Sequence, residues 1–540
     1  MLEVGRLVGL ASVLAMVVVT VGCGDDSAPV AGGGSGSGGA PETGGAGGEQ
    51  SQGGAGGAEA GLDVEWHPCP LDSNQVNGDG AECASIKVPL DWSNPEGEKV
   101  DFFVKRLVAE NQPSRGQLWL LNGGPGYSGA DFEGAFQAGT IDIYMPDHRG
   151  VGRSSRLNCP DGESELSPAG YVVVDEEMPA CLDALEREWG DRLAHFTISN
   201  AARDVGEVIR ATKRPDDDIV IYGGSYGTVW ANRLMVLYPG EQAAVVLDAV
   251  ANDSELDRMD VWMNDLGKSW MEACAADTFC ASKLGPDPWA TMTAALDALD
   301  AGACPGVTAL GVDRPTLQEW FTALFYQWQF RPLITPMVHR LLRCDDSDVA
   351  AFENLMPAFT AAPPPTTKDR FFSRMLSAHI SLSELWTEPA PTAAEVAAFR
   401  ATANVSHFVP TQLTSVQPEW PVYPHDEHFG QSGDTTTPVL ILHGQFDFIP
   451  QAVADAAAAH FSGPNQILVN IPNAPHGTAQ APSASGGQSC SRELFLQFIG
   501  QPTEPLDTSC TDDVAALDFE VEAGLSSAIF GTSDAYDGIP

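Results

Sequence analysis

The sequence predicts an α/β chain: a mostly parallel sheet flanked by helices and interrupted by a helical insertion. Three observations carry this. Short apolar runs alternate with helical segments as far as residue 250. Residues 251–437 then turn mostly helical in character, rich in Ala, Leu, Trp and Met, with proline breaks at 362–365. The strand-like run PVLILHG at 438–444 resumes the alternation. Strand–helix alternation implies parallel strands with helices on both faces, because a parallel crossover must pass over the sheet.

The elements follow in order. ASIKVPLDW (84–92) and KVDFFVKRLVA (99–109) read as an antiparallel pair joined by the turn Asn94-Pro95-Glu96-Gly97. QLWLLNGGPG (117–126) and IDIYMPDHRG (141–150) are apolar runs that break abruptly into Gly, Pro or polar residues. Residues 197–213 place Ala201, Val205, Val208 and Ile209 on one helical face. DIVIYGGSYG (218–227) is a strand entering a Gly-rich turn, and helical composition runs from Tyr226 to Tyr238, stopping at Pro239-Gly240. AAVVLDAV (243–250) is a buried strand; after the insertion come PVLILHG, an Ala-rich helix at 451–461 and the strand QILVNIP at 466–472. The expected division is a signal peptide at 1–22, a Gly-rich tether at 23–61, a first core part at 62–250, the insertion at 251–437, a second core part at 438–515 and an acidic tail at 516–540.

Lys and Arg number 28 against 73 Asp and Glu, a net charge of -45. Such a surface repels nucleic acid and anionic lipid headgroups, so neither is expected as a partner. Arg6 precedes the apolar run Leu7–Val21, which is short for a membrane span, and Cys23 follows in the pattern of a bacterial lipoprotein signal. Cys23 is therefore the candidate lipidation site, and an N-terminal lipid anchor is the one membrane attachment expected. Thr20 and Glu3 depart from that pattern; a plain secretory signal would export the chain equally. The Gly, Ser, Ala and Glu of the following segment bury too little surface to offset ordering entropy. Setting Cys23 aside leaves ten cysteines, an even number that fits disulfides in an oxidising compartment, with neighbour pairing expected. No spacing suggests a metal site, and the G-x-G-x-x-G string at Gly34–Gly39 in the Gly-rich segment has no strand before it, so no cofactor is expected.

Gly223-Gly224-Ser225-Tyr226-Gly227 is the central chemical signal. A serine on a tight strand-to-helix turn holds its Oγ above the sheet edge, and flanking glycines allow the close backbone approach. Ser225 is the candidate nucleophile. A hydroxyl needs a nearby base, and His476, in the loop after strand 466–472, is the candidate; His443 within a strand and His460 within a helix read as structural. Asp447, just past strand 438–444, is the candidate acid, ahead of Asp455 one helix later. The N–H groups of Tyr226 and Gly124 are the expected oxyanion donors, the second from the loop Asn122–Gly126.

GGPG (123–126), DHRGVGRS (147–154), GGSYG (223–227), PVLILHGQFD (438–447) and the PHG around His476 together resemble peptidase family S33, the proline iminopeptidase and secreted tripeptidyl-aminopeptidase branch of the α/β-hydrolases. The resemblance spans roughly 64–515. It implies an α/β-hydrolase fold with a helical cap, and an exported enzyme that cleaves residues or short peptides from free N-termini through an acyl-enzyme. It also implies cap carboxylates for the substrate amine, with Glu384 as the candidate. Asn122 stands where the family has His, Ile449 where it has Thr, and residues after about 515 have no counterpart. Trp386, Trp320 and Phe325 are candidates to line an apolar side-chain pocket, although aromatic residues in helices are more often core. A peptide is the expected partner. The alternatives are an esterase on the same scaffold and a non-catalytic binding module; the sequence leaves side-chain preference and oligomeric state open.

Overall fold

The computed structural model describes residues 61–537 apart from 137, 165–166, 168–169, 172, 252–254, 361–369 and 409–410. The expected signal peptide, lipidation site at Cys23 and nearly all of the tether lie outside the described residues.

A nine-stranded sheet organises the chain in the order β1-β2-β3-β5-β4-β6-β7-β8-β9. β1 (His67–Cys69), β2 (Ala81–Pro89) and β3 (Lys99–Leu107) are antiparallel to their neighbours, and β3 pairs antiparallel with β5 (Asp142–Pro146). From β5 through β4 (Gly116–Leu121), β6 (Asp218–Gly224), β7 (Ala244–Asp248), β8 (Val439–Phe446) and β9 (Gln466–Pro475), every pair is parallel. The strands expected from the alternation are present, while β1 and the helices Met178–Trp189 and Cys490–Gly500 were not anticipated.

The apolar runs are continuous because both sheet faces are covered. In β4, Trp119 and Leu121 join the core on one face and Leu118 and Leu120 the core on the other. β6, β7 and β8 divide in the same way, with Ile221, Val245 and Ile441 opposite Val220, Val246 and Leu440. Helices Ile198–Thr212 and Tyr226–Leu237 cover the first face, and Cys490–Gly500 covers the second with Leu494 and Phe498.

Between β7 and β8 the described residues are mostly helical. Much of this insertion has its own core around Trp270, Trp320, Phe321 and Phe325, and that core also takes in Phe446, Phe448 and Ile449 from the end of β8. The acidic C-terminal segment returns to it: helix Ala523–Phe530 packs there, with Phe519 and Tyr536 buried alongside. Five disulfides join neighbours in the chain: Cys69–Cys83, Cys159–Cys181, Cys274–Cys280, Cys304–Cys344 and Cys490–Cys510.

Candidate active site

β4 lies between β5 and β6, so the chain leaves β4 first to one side and then crosses to the other. Such a reversal opens a crevice beyond the carboxyl ends of the strands. The loop Asn122–Gly126 follows β4 and Ser225 follows β6, so both stand at that crevice.

Ser225 has φ 55° and ψ -125°, a conformation that side-chain-bearing residues rarely adopt. Its N–H donates to Asp248 O at 2.9 Å, and its carbonyl accepts from the N–H of Thr228 at 2.8 Å. Two glycines let the backbones meet. A Cβ on Gly227 would stand 2.1 Å from Leu121 O, and one on Gly123 2.9 Å from the Ser225 Cβ. Tyr226 opens the following helix, so its N–H has no acceptor within that helix. Gly123 N–H is taken by Asn122 Oδ1 at 2.7 Å, which leaves Gly124, at φ 111°, as the next donor along the loop. Asn122 donates onward to Ser128 O at 2.7 Å and Asp131 Oδ2 at 3.1 Å. Asn122 thus braces this loop through both ends of its amide.

Asp447 and His476 meet at the ends of β8 and β9. His476 Nδ1 lies 2.8 Å from Asp447 Oδ1, which also accepts the Ile449 N–H at 2.8 Å. Backbone at Ile449 therefore orients the carboxylate without a side-chain hydroxyl. With the Nδ1 proton directed at a carboxylate, Nε2 is the unprotonated nitrogen of the neutral ring. Phe448 packs against the imidazole, ring centroids 4.2 Å apart, and Tyr326 lies 6.4 Å away. His443 is buried inside β8, where burial lowers its pKa; His460 Nε2 contacts Gly433 O at 3.1 Å. Asp455 accepts from Gln451 on the exposed side of its helix.

Ser225, His476 and Gly124 line one cavity of about 570 Å³. Its walls carry Tyr127, Phe372, Trp386, Phe408 and Phe448. Trp386 thus lines the cavity, whereas Trp320 stacks on Phe359 and Phe325 packs near Trp270, both in the core of the insertion. Glu384 is not among the lining residues. Arg233 donates to its Oε2 at 2.8 Å and Tyr423 to its Oε1 at 2.8 Å, in a site where it is 5% exposed. Its charge is thus answered inside the protein, because a carboxylate this buried needs a permanent partner. The lining carboxylates are instead Asp131 and Asp248. Asp248 already accepts from Thr478 and Tyr222. Asp131 was not anticipated; it sits in the short helix Gly129–Phe132, and no sequence signal marks it.

Comparison with known proteins agrees with this architecture. A family model described as alpha/beta hydrolase fold matches residues 118–282. The chain has the α/β-hydrolase fold. It is 28% identical over 258 residues to the serine protease Hip1 of Mycobacterium tuberculosis, covering 42% of this chain and 48% of that protein. It is 29% identical over 169 residues to carboxylesterase B of the same species, covering 27% and 32%. The match thus spans about half the length of the first relative and a third of the second. Among solved structures, proline iminopeptidase of Mycobacterium smegmatis aligns with 78% of this chain and 98% of that one, at 17% identity and a TM-score of 0.34.

Proposed function

We propose that the protein is a serine hydrolase of the S33 type, an exported aminopeptidase that releases residues or short peptides from free N-termini. The Asp447–His476 pair, whose imidazole lines the same cavity as Ser225, carries the reading. His476 Nε2 takes the Ser225 proton as Oγ attacks the scissile carbonyl. The N–H groups of Gly124 and Tyr226 receive the oxyanion, and Asp447 stabilises the imidazolium. The imidazolium then protonates the leaving amine, leaving an acyl-enzyme. Water deprotonated by His476 releases the acyl group and restores Ser225.

Asp131 supports amine recognition in place of Glu384. Its carboxylate lies on the cavity wall, joined through Asn122 to the loop that faces Ser225. A substrate ammonium entering an aromatic-lined cavity needs an anion, and Asp131 supplies one. The five disulfides support export to an oxidising compartment, and lipidation at Cys23 would hold the enzyme at the envelope. The aromatic walls favour a second reading, a carboxylic ester hydrolase indifferent to an amine. A panel of peptide anilides with free and blocked N-termini separates the two. Preference for free amines, reduced at least tenfold in Asp131→Asn, supports the aminopeptidase; equal turnover of blocked substrates and short acyl esters overturns it.

A further inference from the structure

We propose that Arg331, carried by the insertion, is a positioning residue whose charge sets the proton affinity of the Asp447–His476 pair. The proposal rests on reading His476 as the base for Ser225.

Arg331 lies in the short helix Trp328–Leu333 and is completely buried. Four other deeply buried arginines face a carboxylate: Arg149 with Asp204, Arg340 with Asp348, Arg233 with Glu384 and Arg400 with Asp260. Among the described residues Arg331 has no acidic group within ion-pair distance. Its Nε donates to Phe325 O at 2.8 Å and its Nη1 to Phe446 O at 3.0 Å. Carbonyl dipoles compensate a buried guanidinium only in part. Phe446 immediately precedes Asp447, so the second bond aims the cation at the end of β8 where the acid sits. Trp328 and Trp270 screen it from water, with Cζ 5.2 and 5.9 Å from their ring centroids.

Asp447 has a matching need. Its Oδ1 takes both His476 and the Ile449 N–H, whereas Oδ2 is buried without a hydrogen-bond partner among the described residues. Arg331 Nη2 is in the same position. Burial pulls the Arg331 pKa down to about 9, and the field of Asp447 is what opposes the fall. Arg331 therefore remains a cation at neutral pH. The other groups facing the pair are Asp248 from β7, His443 from β8, the Tyr326 hydroxyl from the helix Arg314–Tyr326, and Asp131 and Arg374 on the cavity wall. His443 and Tyr326 are neutral at pH 7, because burial lowers the first and raises the second to about 12.

A cation on the carboxylate side disfavours a second positive charge on the imidazole. The charge of Arg331 thus favours the neutral imidazole that acts as the base. The insertion in this way supplies part of the electrostatics of a site whose three reacting residues lie in the sheet-bearing part of the chain.

The test is the rate of inactivation of the full chain by a fluorophosphonate between pH 5 and 9. Arg331→Gln and the apolar Arg331→Met are compared with Arg331→Lys and the unaltered protein, each checked by thermal melting. The acidic limb should move to higher pH by about half a unit or more in the Gln and Met variants, and return most of the way in Arg331→Lys. Superimposable limbs in a folded Gln or Met variant, or an equal shift in all three, overturn the proposal. Ser225→Ala is the control for the underlying reading. Labelling that survives it overturns that reading, whereas an unmoved limb in a protein whose labelling it abolishes overturns the role of Arg331 alone.

Discussion

Asp447 Oδ1 accepts both the imidazole of His476 and the backbone N–H of Ile449, each at 2.8 Å. The second contact fixes the carboxylate before the imidazole reaches it, so the ring is held in the tautomer that leaves Nε2 free to accept a proton. Asp447→Asn can present an amide N–H to the ring and invert that tautomer. Turnover should fall by about 10⁴, with the melting temperature nearly unchanged. Anilide hydrolysis and calorimetry on the same samples check both halves; a loss of activity that merely tracks a loss of fold would refute the tautomer argument.

Gly123→Ala should be strongly impaired for a steric reason. The added methyl would lie 2.9 Å from the Ser225 Cβ and 3.0 Å from Gly224 O, and neither is a flexible side-chain end. The loop must retreat and take the Gly124 N–H with it. The expected cost in kcat is about 10²–10³, the size of one oxyanion donor. Unaltered turnover would mean that this loop does not face the reacting carbonyl.

The fold and the candidate triad were legible because they are local. GGSYG after an apolar run states a strand, a tight turn and a helix in ten residues, and PVLILHGQFD states a strand ending in an acid. The proposed amine-binding carboxylate was not legible in the same way. Glu384 looked suitable by its position in HISLSELW, yet Arg233 and Tyr423, which occupy it, lie 151 and 39 residues away. Asp131 and Arg331 escaped notice for the same reason: their meaning depends on what the insertion and the β4 loop fold against. The DHRGVGRS motif was recognised, but its physical purpose shows only in three dimensions.

That purpose can be tested at Arg149. Its Nε and Nη2 grip Asp204 at 2.7 and 2.6 Å, and Nη1 and Nη2 bond the carbonyls of Leu90, His195 and Pro89. Both partners are fully buried. Arg149→Met leaves Asp204 with only Trp92 as donor and should cost about 3–5 kcal/mol, read as a lower denaturant midpoint. Arg149→Met/Asp204→Leu should recover much of that loss, since removing both charges removes the desolvation penalty.

Acid should destabilise the fold through two histidines. His148 Nδ1 meets Arg149 O at 2.7 Å and Nε2 meets the Tyr226 hydroxyl at 3.1 Å; His379 Nε2 meets Leu193 O, and Nδ1 accepts the Trp420 Nε1–H at 3.2 Å. Burial lowers their pKa values to about 3 and about 4. The unfolded chain takes up these protons first, near pH 6.5. Stability is therefore fully present above that pH and lost as pH falls toward the folded values, by about 1.4 kcal/mol per pH unit for each histidine. Melting temperatures from pH 7.5 to 4.5 should fall, and less steeply in His379→Gln. A slope unchanged by that substitution would place the acid sensitivity elsewhere.

The C-terminal segment makes the last prediction. Arg340 is fully buried and donates to Ala535 O at 2.6 Å, to Asp534 O at 3.3 Å and to Asp537 O, besides pairing with Asp348. Phe519 lies against Trp270, ring centroids 4.9 Å apart, and the Tyr536 hydroxyl bonds Thr335 at 2.6 Å. Removing residues 516–540 would expose these apolar faces and strip a guanidinium of its carbonyls. The insertion should loosen by several kcal/mol, seen as faster proteolysis within residues 259–360 and a lower melting temperature. Trp270 also packs on Phe446, 5.8 Å between centroids, beside Asp447. The truncated protein should therefore lose turnover at temperatures where the sheet is still folded. Unchanged kinetics together with rapid cleavage of the insertion would separate the segment's stabilising contacts from the active site.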